Sequence, residues 1–315
     1  MGLLVVGSVA YDSVETSADK VVEVLGGSAT FFSMASSLFA PTYVVAVVGE
    51  DFREGELDRL RRRGVDVRGI ERVPGDTFRW GGRYSPYFTT RETLFTELNV
   101  FSDFQPKIPA DQAGAELVFL ANIHPALQLD VLNQMKGPRF VALDTMGFWI
   151  TGEREQLLTV LKRIDALFLN DEEAFALSEC GNLVTAARRI QAMGPRILVV
   201  KRGEFGSVLF YDGHALAMPA VMLEHVVDPT GAGDTFAGGF MGYLASQPVI
   251  DVSALQGAMV TGTVAASFCV EGFSIDALER ADLAALAQRH QQLRTSTASL
   301  DMDLTHARDR ATSRG

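Results

Sequence analysis

The sequence predicts an α/β fold: a mainly parallel central sheet with helices on both faces and a small β lid. Three observations predict it. Short apolar runs recur at 3–6, 44–48, 117–120, 140–143, 166–169 and 197–200, and each has the length and composition of a strand buried on both faces. Amphipathic stretches at 28–39, 55–63, 126–135, 154–163, 172–177 and 183–193 lie among them, and such alternation is the mark of a parallel sheet. Two stretches, 13–25 and 77–101, break the alternation and carry β-type residues without a helical period.

The elements follow in chain order. Residues 3–6 are apolar but too few for the core of a signal sequence, so they read as a buried first strand, with Asp12 after it. Residues 13–25 hold Val14, Val21, Val22 and Val24 and read as a hairpin. Gly26-Gly27 then opens the helical stretch that contains Thr30, Phe31 and Phe32. Paired glycines before a helix let a ligand approach the backbone, or simply make a strand-to-helix turn. The strand 44–48 ends in Gly49-Glu50-Asp51. Residues 77–101 are rich in Thr, Tyr, Phe and Trp, and Gly81-Gly82 reads as their turn. Their aromatic side chains could stack on a substrate ring, stitch a lid together or bury a homodimer face.

The later strands each end in polar residues. Asn122 and His124 follow 117–120, Asp144 follows 140–143, Asn170-Asp171-Glu172-Glu173 follows 166–169, and Lys201-Arg202-Gly203 follows 197–200. In open α/β sheets the ligand binds outside the carboxyl ends of the strands, where these residues fall. His124, next to Pro125, reads as structural. Gly257-Ala258 and 261–266 form a small-residue helix that suits tight packing. From Gln288 onward the chain turns polar, and 291–315 is expected to be a flexible tail behind a domain spanning 1–290.

Composition bounds the function. The chain has 315 residues, 47% of them hydrophobic, enough for one large core. Net charge is 28 − 39 = −11, which argues against a nucleic-acid polymer as partner. Cys180 and Cys269 are far apart and lack metal-ligand spacing, so a reducing, cytoplasmic setting is expected. No run reaches the roughly 18 uninterrupted apolar residues of a membrane span, so no membrane association is expected.

The most informative stretch is Asp228-Pro229-Thr230-Gly231-Ala232-Gly233-Asp234, followed by an apolar helical pattern with Phe236, Phe240, Tyr243 and Leu244. Gly231 and Gly233 flank a one-methyl residue, so the backbone can turn tightly and present its N–H groups. A glycine turn that opens a helix is an anion site, because free amides and the helix dipole point the same way. A carboxylate at that mouth can take the proton of an attacking hydroxyl. Asp234 could instead cap the helix, but capping explains one aspartate and not the seven-residue run.

This run resembles the C-terminal signature of the PfkB, or ribokinase-like, family of carbohydrate and nucleoside kinases. The resemblance extends from residue 1 to about 285 and implies a three-layer α/β/α sandwich, with a lid built from 13–25 and 77–101. It implies Asp234 as catalytic base and Gly231, Ala232 and Gly233 as the anion hole. It implies that Asp12, Gly26 and Gly27 bind the substrate together with Asp234. An Asn that binds a sugar hydroxyl in many relatives is missing after Gly26-Gly27, where Thr30, Phe31 and Phe32 stand. Asn170 and Glu173 match the family's Asn-x-x-Glu pattern, which arranges water around Mg²⁺ and phosphate. Asn170, Lys201, Gly203, Gly206, Thr230, Gly231 and Gly233 would line the ATP site. For several of these a structural reading stands beside the functional one. Acids gather at helix N-termini, and Gly203 and Gly206 suit a plain hairpin turn.

The resemblance implies an ATP-dependent transfer to an alcohol group, with a small sugar as acceptor and a nucleoside or inositol as alternatives. A dinucleotide-dependent oxidoreductase is disfavoured, since Gly7-Ser8-Val9-Ala10 lacks the Gly-x-Gly-x-x-Gly fingerprint. A non-catalytic metabolite sensor would not need the intact Asp234 and glycine turn.

Overall fold

In a computed structural model of the protein, residues 2–17 and 19–297 are described. Thirteen strands occur among them: β1 (Leu3–Val6), β2 (Ala10–Glu15), β3 (Lys20–Gly26), β4 (Thr42–Gly49), β5 (Val65–Val73), β6 (Arg79–Tyr84), β7 (Arg91–Glu97), β8 (Leu117–Leu120), β9 (Phe140–Asp144), β10 (Ala166–Asn170), β11 (Ile197–Lys201), β12 (Ser207–Tyr211) and β13 (His214–Met218). Nine form one sheet in the order β13-β12-β11-β10-β9-β8-β1-β4-β5. It is parallel from β11 to β5, and β12 and β13 add an antiparallel edge.

The strand side chains alternate between two cores, as a doubly covered sheet requires. Leu3 and Val5 enter one, Leu4 and Val6 the other. The first core is closed by α1 (Ser28–Ser36), α2 (Glu54–Arg62), α8 (Ala232–Ala245), α9 (Val252–Cys269) and α10 (Asp276–Arg280). The second is closed by α3 (Pro125–Gln134), α4 (Gly147–Gly152), α5 (Arg154–Leu161), α6 (Asp171–Ser178) and α7 (Leu183–Gln191). The result is the three-layer α/β/α sandwich that the strand–helix alternation predicts.

An aromatic chain crosses the first core. Phe32 of α1 stacks on Phe119 of β8 at 4.3 Å, Phe119 meets Phe168 of β10 at 5.8 Å, and Phe168 meets Phe240 of α8 edge-on at 5.2 Å. Burial of each ring contributes about 1.5–3 kcal/mol. The two helices also touch directly, because a Cβ at Gly238 of α8 would run into the Phe32 carbonyl. On the far side, α9 has 18 residues with a mean hydropathy of 1.3, long and apolar enough to cross a membrane by composition. In this fold it packs against α8, where a Cβ on Gly239 would lie 2.9 Å from that of Ala265. Its small residues serve close packing.

The remaining four strands form a second sheet, β3-β2-β6-β7, from the two stretches that broke the alternation. Gly81-Gly82 is not its turn. Both glycines lie inside β6, where the register against β7 shifts. A side chain at Gly81 would collide with the Phe95 ring, and one at Gly82 with the Trp80 ring. The glycines make room for rings laid across the sheet. The chain reverses instead at 85–90, where the Ser85 amide donates to the Thr90 carbonyl at 3.0 Å.

Two further features differ from the expectation. β5 is an edge strand that charged Asp66, Arg68, Glu71 and Arg72 disguise in the sequence, as is common at sheet edges. Helix α11 (Leu283–Thr297) continues beyond residue 291, with Leu293 buried. The rest of the expected polar tail lies outside the described residues.

Candidate active site

The signature turn forms one wall of the site. Gly231 is the N-cap of α8 in the left-handed region (φ 76°). Its α-face lies against the Phe31 ring, so any side chain there would be strained in backbone and blocked in space. Ala232, Gly233 and Asp234 follow as the first turn, where amides lack an acceptor one turn earlier within the helix; the Ala232 amide instead donates to the Pro229 carbonyl at 3.2 Å. Asp234 therefore lies within the first turn and is not the cap. The turn is braced from behind. Asp228, buried, accepts from the Thr230 amide at 2.8 Å, and the Cys269 thiol donates to the Thr230 carbonyl at 3.4 Å. The Tyr84 hydroxyl of β6 meets the Thr230 hydroxyl at 3.1 Å, which ties the small sheet to the turn.

The second wall comes from β2 and the start of α1. Asp12 is buried over Gly26, where a Cβ would overlap its carboxylate. Gly27 caps α1 at φ 96°, and its amide donates to Asp12. Burial pushes Asp12 up to about 7, the Gly27 amide works against this, and the charges of Asp228 and Asp234 add to the rise. Asp12 and Asp234 thus face one electrostatic environment although 222 positions separate them (234 − 12).

The floor is the carboxyl edge of three neighbouring strands. Lys201 ends β11, Asn170 ends β10 and Asp144 ends β9. Lys201 Nζ donates to Asp144 Oδ2 at 2.6 Å. Burial works to lower the Lys201 pKa, but the Asp144 charge and hydrogen bond, with Asp234 and Glu173, outweigh it and raise the value. Asp234 is pushed up to about 7, first by burial and then by Asp144, with Lys201 opposing.

Asn170 and Glu173 form a reciprocal capping box on α6. The Glu173 amide donates to Asn170 Oδ1 and the Asn170 amide to Glu173 Oε2, both at 2.8 Å. Burial and the Asp144 charge push Glu173 up to about 7, while Lys201, the Asn170 amide and Arg91 of β7 oppose the rise. The structural and the functional reading of this motif are therefore compatible.

Gly203 and Gly206, both at positive φ, shape the β11–β12 turn, and Gly206 abuts the Met218 carbonyl. The space beside Gly203 is open, while Arg202, which precedes it, reaches Asp171 at 3.4 Å. His124 is structural, its Nδ1 capping α3 by accepting from the Ala126 amide at 3.1 Å. Asn122 accepts from Trp149 Nε1 at 2.9 Å. Among the described residues no three His, Cys, Asp or Glu side chains converge to cage a metal ion. Two cavities along β4 and β5 are lined by residues remote in the fold from this carboxylate cluster.

Asp144, Asp228 and Tyr84 join the site although the sequence assigns none of them a definite role there. Asp144 carried a signal, since it ends a strand on the correct edge. Tyr84 is one of the aromatics of 77–101 that could stack on a substrate ring, but its hydroxyl contact with Thr230 depends on how the small sheet docks.

Chemically, the site sets a carboxylate that can take up a proton near neutral pH beside a helix N-terminus and one partly buried cation, Lys201. It can receive an anion and deprotonate a hydroxyl next to it.

The comparisons agree with this chemistry. Residues 115–277 match the family model described as pfkB family carbohydrate kinase. A cytidine kinase from Thermococcus kodakarensis is 31% identical over 257 residues, covering 79% of this chain and 91% of that protein. Among solved structures, the Methanocaldococcus jannaschii nucleoside kinase, an archaeal member of the ribokinase family, superposes with a TM-score of 0.74 at 20% identity, over 92% of this chain and 98% of that one. Arabidopsis thaliana ribokinase complexed with ribose and ATP gives 0.73 at 22% identity, over 92% and 98%. The fold is thus that of ribokinase. With an acid at the mouth of a glycine turn, matched by both the family model and a relative over most of its length, the chain belongs to the pfkB family of carbohydrate kinases, whose members phosphorylate alcohol groups of sugars and nucleosides.

Proposed function

We propose that this protein transfers the γ-phosphoryl group of ATP to the hydroxymethyl group of a small sugar or a nucleoside, with Asp234 as general base. One observation carries the reading. A half-buried carboxylate pushed up to about 7 sits in the first turn of α8, three positions after a left-handed glycine. A base with a pKa near the working pH balances availability against strength.

In this mechanism Asp12 accepts hydrogen bonds from the acceptor's hydroxyls and fixes its orientation. Gly26 and Gly27 let the acceptor approach the backbone. Asp234 takes the proton of the attacking hydroxyl. The amides of Gly231, Ala232 and Gly233 receive the phosphoryl oxygens, and preorganised donors of this kind are among the larger contributions to catalysis. Thr230, Asn170, Lys201, Gly203 and Gly206 line the nucleotide side. Mg²⁺ fits the chemistry of the donor set, because the Asp144 charge raises the cost of ionising Glu173 and a divalent cation nearby would relieve it. Asn170 and Glu173 would hold its water shell, and the ion would supply charge neutralisation on the phosphates.

A nucleoside acceptor is favoured by the likeness to a cytidine kinase over most of that protein's length. A homodimer through the small sheet accords with its exposed Val22, Tyr87, Leu94 and Phe95. The kinase reading is tested by ATP consumption with Mg²⁺ against pentoses, hexoses, inositols and nucleosides. Asp234→Asn is expected to lower kcat by about 10²–10⁴-fold with ATP affinity little changed. Near-normal turnover of that variant would remove Asp234 from the role.

A further inference from the structure

The mechanism above leaves the buried pair of Lys201 and Asp144 without a part in the chemical step. Its geometry is specific. Lys201 Nζ donates to Asp144 Oδ2 at 2.6 Å, with the two side chains 19% and 8% exposed. On its other side the ammonium lies along the first turn of α8, where a Cβ added to Gly233 would stand 3.1 Å from Nζ. A side chain at Gly233 would crowd the ammonium where it meets the turn. The same turn carries the amides assigned to the phosphoryl oxygens and the carboxylate assigned as base.

Stability does not explain such a pair. Taking both charges out of water costs about what their attraction returns, and apolar residues of similar volume often serve as well. Two chain segments 57 positions apart (201 − 144) deliver these charges to the carboxyl ends of β11 and β9, on either side of β10, at the sheet edge where ligands bind. An ammonium has three protons to donate, and Asp144 takes one.

We propose that Lys201 is a catalytic cation for phosphoryl transfer, stored against Asp144 and turned onto the transferred phosphoryl group as charge develops on it. This rests on the kinase reading. In the step, the bond from the γ-phosphorus to the β,γ-bridging oxygen breaks and its electron pair leaves with ADP. A bond from the acceptor oxygen to phosphorus forms, and the acceptor's proton ends on Asp234. Lys201 exchanges no proton and changes only its hydrogen-bond partner. Asp144 is a positioning residue: it keeps Lys201 charged against burial and returns it to its starting place.

The surroundings fit one mobile cation among acids. Asp144 from β9, Glu173 from α6 and Asp234 from α8 all act on Lys201, while Asp12, Asp228 and Arg91 lie further around the cluster. Asp144 holds Lys201 above its ordinary pKa, so the ammonium form persists where a buried lysine alone would lose its proton.

The test compares wild type, Lys201→Ala, Asp144→Asn and the double variant Lys201→Met/Asp144→Leu, using an acceptor that wild type phosphorylates. Lys201→Ala is expected to lose about 10²–10³-fold in kcat, the size of one transition-state donor, while ATP dissociation changes by less than about tenfold. Added methylammonium should restore its turnover along a saturating curve, and tetramethylammonium, which has no proton to donate, should not. A merely structural lysine would show no such difference between the amines. Asp144→Asn is expected to lose less, and the double variant no more than Lys201→Ala, because the two residues act as a unit. The double variant leaves neither charge unpaired, so it serves if Lys201→Ala fails to fold. Turnover of Lys201→Ala or of the double variant within threefold of wild type would overturn the role, as would a loss confined to the KM for ATP. If wild type itself phosphorylates no acceptor, it is the kinase reading that falls.

Discussion

At Asp234 burial and the neighbouring Asp144 charge push the carboxyl towards its neutral form, and Lys201 pulls it back. As a base it must be ionised, so protonation removes activity. The expected outcome is a kcat/KM profile that falls about tenfold per pH unit below pH 7 and levels off above it, since this ratio reports the free enzyme. A profile flat down to pH 5 would contradict the assignment. Much of this was legible at the residue scale. Gly231, Gly233, Asp234 and Asn170 could be chosen from short-range pattern, because each motif is contiguous and its chemistry is local, whereas the choice of Asp12 rests on resemblance to the family. The contact of Lys201 with Asp144 could not, because it depends on the order of strands in the sheet, where β10 alone separates β11 from β9. Nor could the Phe31 ring beneath Gly231 be foreseen, since it is a contact between two helices far apart in the chain.

Among the elements, the small sheet is held to the signature turn through the Tyr84–Thr230 hydroxyl pair. Tyr84 is otherwise buried against Phe88 edge-on at 6.0 Å. Tyr84→Phe keeps the ring and removes the hydroxyl, a change of about 0.5–1.5 kcal/mol for one neutral hydrogen bond. We expect it to raise the KM of the acceptor by about 2–10-fold with little change in melting temperature; an unchanged KM would free the sheet from any part in closing the site. Reading elements from sequence succeeded where burial on both faces made apolar runs continuous, as in β8 and β10. It failed at β5, whose charges face solvent, and at Gly81-Gly82, where glycine signals room for rings and not a reversal.

For the whole molecule, three carboxyl groups are held at about 7: Asp12 and Asp234 from 3.8, and Glu173 from 4.5. Between roughly pH 4 and pH 7 the folded chain then keeps protons that the unfolded chain has released. With the native state binding more protons, stability falls as pH rises through that window. Carboxyls held low by arginines, such as Asp66 beside Arg68, act the other way: their stabilisation is present above the unfolded value and lost on acidification. Ligand-free protein carrying Asp234→Asn should therefore lose less melting temperature than wild type between pH 5 and pH 7.5, as scanning calorimetry can measure. Equal slopes would show that Asp234 ionises as freely folded as unfolded. The α/β architecture was readable because alternation of strands and helices is a property of the entire chain. The electrostatic strain was not, because it arises from acids drawn together from β2, β9, α6 and α8.

The aromatic chain from Phe32 through Phe119 and Phe168 to Phe240, with Gly238 seated on the Phe32 carbonyl, locks α1 and α8 to each other and to the sheet. One of these helices begins beside Asp12 and the other beside Asp234. The two helix starts are thereby one chassis, while the outer strands β3 and β7 hang from it with few obligations to the core. Such a division separates what selection can alter from what it must leave alone. Under the proposed roles, acceptor preference is free to drift through the overhanging strands over generations, while the residues at the two helix starts are inherited intact.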